Sequence, residues 1–97
     1  MTPSKRTRSK MRRIMVQQGL YGWTLSFKRI QDEALYGVTD FEEYEIIIDV
    51  KLHQGDSKEI WRTFIHEVAH AVVGLVNHSK AWENKYKSLL QKYKYVV

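Results

Sequence analysis

Residues 63–82 read TFIHEVAHAVVGLVNHSKAW and hold three of the four histidines in the chain. His66, Glu67 and His70 form a His-Glu-x-x-His pattern inside the most strongly helical stretch, QGDSKEIWRTFIHEVAHAVVGL. At about 100° per residue, Trp61, Phe64, Val68, Ala71 and Leu75 fall on one side of that helix. His66 and His70 fall on the other side, one turn apart, so two imidazole nitrogens can converge on one zinc ion. Asp56, followed three residues later by Glu59, predicts a capping box at the start. Glu67 is rotated about 100° from its neighbour. It need not bind the metal, and it is placed to act as a general base toward water.

A zinc centre that does chemistry needs a third protein ligand and an open position. His78 is the leading candidate, and Glu83 on the following helix is the rival. In an unbroken helix His78 would stand about 12 Å along the axis from His70, too far to share the ion. For His78 to serve, the helix has to end between Gly74 and Asn77, two residue types that tolerate a left-handed turn. His53 reads as a surface histidine beside a Gln-Gly turn.

The rest of the chain supplies a small scaffold. Thr2-Pro3 predicts an N-cap with proline at the first helical position, opening a helix over about residues 3–18 that Gly19 closes. WTLSFKRI alternates, with Trp23, Leu25 and Phe27 on one face. ALYGVT reads as a shorter strand. YEIIIDVKL alternates again, with Tyr44, Ile46, Ile48, Val50 and Leu52 on one face. Three consecutive strands joined by short polar turns predict an antiparallel meander. A last helix starts at Ser79, with Trp82, Tyr86, Leu89, Leu90 and Tyr93 as its apolar stripe.

Ninety-seven residues suit one domain with one small core, and chains of this size often add a disulfide or a metal. The chain has no cysteine, which excludes a disulfide scaffold, a cysteine zinc ribbon and thiol catalysis, and accords with a cytoplasmic location. No apolar run approaches the roughly 20 residues of a membrane span, and no signal peptide is read at the N-terminus. Charge is unevenly placed. Residues 1–13 carry six basic side chains (Lys5, Arg6, Arg8, Lys10, Arg12 and Arg13) and no acid. Residues 80–97 are net +4 and the middle is net −5. Basic ends on an acidic centre suggest an anionic partner, nucleic acid first.

Taken together, YGWTLSF, LYGVT, EIIIDVKL, the HEVAH helix and HSKAW resemble the SprT-like zinc metalloprotease family, which includes the Spartan proteases of DNA–protein crosslinks. The resemblance runs from about Tyr21 to Tyr93. It implies an α+β, minimal zincin-like domain over residues 1–97. With the helix and strand patterns read above, its parts would be a basic N-terminal helix (1–20), a three-stranded antiparallel sheet (21–54), a metal helix (56–76) and a closing helix (79–94). It also implies one zinc held by His66, His70 and His78, Glu67 as catalytic base, and a protein or peptide substrate, with DNA as a possible partner. The alternative is a non-catalytic nucleic-acid-binding or adaptor protein with a structural zinc site.

Overall fold

The computed structural model describes residues 2–32, 35–50, 58–74 and 77–94. Ser4, not Thr2, caps the first helix, α1 (Lys5–Gln17): its Oγ accepts the Thr7 N–H at 3.2 Å. Pro3 is buried ahead of the cap instead of forming the first turn. The other end is a Schellman turn. Gly19 takes φ +81°, its N–H reaches the Val16 carbonyl, and the Leu20 N–H reaches the Met15 carbonyl at 2.9 Å. Met11, Ile14 and Met15 are buried, so α1 packs as part of the core.

Among the described residues three strands form one sheet: β1 (Thr24–Lys28), β2 (Gly37–Asp40) and β3 (Glu45–Asp49). The order is β1-β3-β2, with β3 parallel to β1 and antiparallel to β2. The sheet is therefore mixed, which corrects the antiparallel meander. The reason lies in the composition of the strands. EIIID is the most apolar of the three and takes the centre, where Ile46 and Ile48 are fully buried. TLSFK and GVTD have fewer large apolar side chains and take the edges. Residues 29–44 supply the long connection that a parallel pair requires.

The β2–β3 turn is built by Asp40, whose Oδ1 accepts the N–H groups of Glu42 and Glu43 at 3.0 Å each. Tyr44 sits there with φ +52° and is exposed, so it leaves the buried face that the alternation assigned to it. Trp23 packs edge-on against Phe41 and Tyr44. Asp49 is buried at the end of β3, where its carboxylate accepts the Ile30 N–H at 2.8 Å and ties down the chain leaving β1.

α2 (Lys58–Val73) lies across the sheet and buries Ile60, Trp61, Phe64, Ile65, Val68 and Ala69. Its predicted capping residue Asp56 falls outside the described residues, as do His53 and Leu75. α3 (Lys80–Lys92) starts as expected at Ser79, whose Oγ accepts the Trp82 N–H at 3.2 Å. Leu89 and Tyr93 are buried. The Tyr93 hydroxyl accepts from Gln18 and donates to Gln17, each at 2.9 Å, joining α3 to the end of α1. Among the described residues no helix is long and apolar enough to cross a membrane.

Candidate metal centre

The site forms where α2 stops. Gly74 adopts φ +79° and its N–H closes on the His70 carbonyl at 2.8 Å, the left-handed end that the sequence called for. His78 stands just before the α3 cap, back beside α2. His78 Nε2 lies 3.2 Å from His66 Nε2, and His70 Nε2 lies 3.2 Å from the same atom. One ligand atom from each ring falls within 4.8 Å of the others, a three-histidine group that could hold a metal ion.

The donor set suits a tetrahedral ion. Two nitrogens bonded at 2.0–2.1 Å in tetrahedral geometry would stand about 3.3 Å apart, against the 3.2 Å observed. Hydrogen bonding alone explains the cluster poorly, because a single ring nitrogen of His66 faces two others and can share at most one proton with one of them. Burial, followed by the neighbouring His70 and His78, lowers His66 to about 4 from the ordinary 6.5. The ring therefore stays neutral, the form that binds metal. Glu83 does not join the group. Its carboxylate pairs with Lys87 at 2.9 Å, and that hydrogen bond, aided by Lys80, holds it below the usual carboxylate range.

His70 is buried, so the histidine side of α2 is not an open face. Trp82 covers it, stacked on the His70 ring at 5.1 Å between centroids. The Trp82 indole N–H donates to the His66 carbonyl at 3.2 Å, pinning α3 to α2 beside the cluster.

Glu67 is also buried, at 6% exposure. Its Oε2 lies 3.9 Å from His66 Nε2. Its Oε1 lies 2.8 Å from the Thr39 hydroxyl, which also reaches the Glu67 carbonyl at 3.0 Å. Burial raises the carboxyl to about 7 from the ordinary 4.5, with the Thr39 hydrogen bond pulling the other way. β2 can approach this closely because of Gly37. A Cβ there would stand 2.9 Å from Thr63 Cγ2, 3.0 Å from Glu67 Cγ and 3.1 Å from Glu67 Oε2. Two adjoining hollows of about 340 and 330 Å³ open over this floor, and His66, Glu67, His78, Gly37 and Leu35 line both.

The chain superposes on the crystal structure of the metallopeptidase zymogen jannalysin of Methanocaldococcus jannaschii with a TM-score of 0.69 and 15% identity, over 93% of this chain and 83% of that one. The chain shares the zincin-like fold of that protein. No family model matches the sequence. No curated protein matches it. At 15% identity the likeness establishes the fold and leaves activity to the site itself.

The six N-terminal basic residues do not form a free arm. All lie on α1, with Lys5, Arg6, Arg12 and Arg13 exposed and Arg8 and Lys10 half-buried at the flanks of the packed face. Thr39 escaped the sequence reading, since a threonine in a short strand carries no distinguishing signal. Gly37 did carry one, because a glycine inside a strand marks a close backbone approach. Tyr86 belongs to the predicted apolar stripe of α3, yet it is half-buried and lines the cleft.

Proposed function

We propose that this protein is a zinc-dependent metallopeptidase of the SprT-like type, in which His66, His70 and His78 hold one zinc and Glu67 is the general base. The observation that carries the reading is the Glu67 carboxylate. It is buried beside three converging imidazoles, with one oxygen held by Thr39 and the other on the cleft side, 3.9 Å from His66 Nε2. A bound zinc supplies Lewis acidity toward a peptide carbonyl and acidifies water. Glu67 Oε2 takes the proton of the attacking water and passes it to the departing amine. Thr39 keeps Oε1 occupied, so the carboxylate presents one fixed oxygen. Among the described residues β2 is an edge strand, its residues line the cleft, and its outer edge can hold an extended peptide by strand addition.

The exposed basic residues of α1 favour substrates associated with DNA; a cytoplasmic setting, with residues 1–97 acting as one unit, belongs to the same proposal. Met11, Ile14 and Met15 belong to the core, so truncating α1 would unfold the protein. The suitable probe is substitution of Arg6, Arg12 and Arg13 by Gln. Binding to DNA, followed by anisotropy at two salt concentrations, should fall steeply with salt in the parent and lose that slope in the variant.

Zinc-loaded wild type and Glu67→Gln decide the main reading, with unfolded casein as substrate and DNA present or absent. Glu67→Gln should keep its zinc and lose proteolysis by about 10²-fold or more. Equal activity in the two proteins would remove Glu67 as the base. A second reading, an adaptor with structural zinc, draws on the Thr39–Glu67 hydrogen bonds that tie β2 to α2. On that reading wild type shows no proteolysis, and Glu67→Gln lowers only thermal stability.

A further inference from the structure

Water attack on a peptide carbonyl turns its oxygen into an oxyanion, and a fixed hydrogen-bond donor aimed at that oxygen is among the largest single contributions to such catalysis. The proposed base comes from α2 and is packed against β2, so the donor is sought on the remaining element of the cleft, α3. Tyr86 lies there. It comes from α3, and it lines the same hollow as His66, Glu67 and His78. Its ring centroid lies 5.7 Å from that of His66.

The ring is held in place from behind. Tyr86 stacks on Trp82 at 5.1 Å with 10° between planes, and Trp82 in turn stacks on His70. Trp82 is itself fixed by its indole hydrogen bond to the His66 carbonyl. Among the described residues the Tyr86 hydroxyl has no hydrogen-bond partner, whereas that of Tyr93, two turns along the same helix, has two. An aromatic ring locked by stacking at the wall of the cleft, its O–H without a partner among the described residues, is a preorganised donor.

We infer that Tyr86 is a catalytic residue whose hydroxyl donates a hydrogen bond to the oxyanion formed from the scissile carbonyl. This rests on the peptidase reading. The water oxygen bonds to the carbonyl carbon and the C–N bond breaks. The water proton travels through Glu67 to the amine, while Tyr86 keeps its own proton throughout.

Tyr86→Phe removes the hydroxyl and leaves the ring that stacks on Trp82, so the fold is preserved. The test measures affinity, not turnover. Zinc-loaded Glu67→Gln protein, with and without Tyr86→Phe, is titrated with two pools of hexapeptides randomised at the flanking positions. One pool carries a phosphinate in place of the central amide, copying the oxyanion, and the other carries the amide. Tyr86→Phe should weaken phosphinate binding by about tenfold or more and leave amide binding unchanged. Equal losses on both pools, or none on either, would overturn the role. If the parent protein does not prefer phosphinate over amide, the peptidase reading falls, and Tyr86 with it. If the parent prefers phosphinate and Tyr86→Phe keeps that preference, Tyr86 falls alone.

Discussion

The Glu67 carboxyl is the proposed base and also a buried group of the fold, so its protonation bears on stability. In the metal-free protein burial raises its pKa to about 7, against 4.5 when unfolded. The folded state therefore favours the protonated form. Its contribution to stability is complete below pH 4.5 and is lost as pH rises through about 7. His66 runs the opposite way: its folded pKa of about 4 gives a contribution present above 6.5 and lost as pH falls through about 4. Comparing wild type with Glu67→Gln cancels the histidine. Between pH 4.5 and 8, the urea midpoint of the chelated wild type should fall relative to that of Glu67→Gln, and parallel curves would refute the assignment. Gly37 sets the neighbouring constraint. A methyl group there stands 2.9 Å from Thr63 Cγ2 and 3.0 Å from Glu67 Cγ. Gly37→Ala should therefore lose about 1–3 kcal/mol by overpacking, read as a lower denaturation midpoint. It should also displace Glu67 and so reduce proteolysis.

The decisive element is the end of α2. Gly74 at φ +79° lets the chain turn and bring His78 onto His66, twelve positions away in sequence. Gly74→Ala strains that turn and should cost about 1–2 kcal/mol, and zinc retention should weaken with it. His78→Ala should weaken retention further, measured by competition against a chromogenic chelator. Unchanged retention in His78→Ala would exclude it as a ligand. These positions were legible in the sequence because the rules behind them are local: the i,i+4 spacing of the histidines, a glycine stop, and a serine cap at Ser79. The sheet was read less well. Alternation located the three strands but could not rank them, and the central place of EIIID goes with the complete burial of Ile46 and Ile48, a property of the assembled core. Glu67's hydrogen bond to Thr39 spans 28 positions, and the buried Asp49 meets Ile30 across 19. Both are tertiary partnerships that no periodicity encodes. Tyr86 was hidden for another reason: the spacing that made it look like core also carries it to the rim beside Trp82.

At the scale of the molecule, a core of this size has little stability in reserve. A ligand that binds only the folded state adds about 4 kcal/mol at a thousandfold excess over Kd. For a chain of this length that corresponds to a rise of about 15 °C or more in Tm. Thermal melts of zinc-loaded and chelated protein should show such a gap, and coincident melts would separate metal from folding. The strand order β1-β3-β2 has a consequence for how the chain is made. The central strand is the last of the three to leave the ribosome. Until residues 45–49 emerge, the two earlier strands have nothing to pair with, since in the finished sheet they are not neighbours. The β2–β3 hairpin is the local unit that can close first, and the parallel pairing of β1 with β3 must wait for a longer loop to be drawn in. A nascent chain halted before Glu45 holds two unpaired strands and no sheet. Synthesis therefore passes through a stretch in which this protein is all edge, ending only when the isoleucine strand arrives.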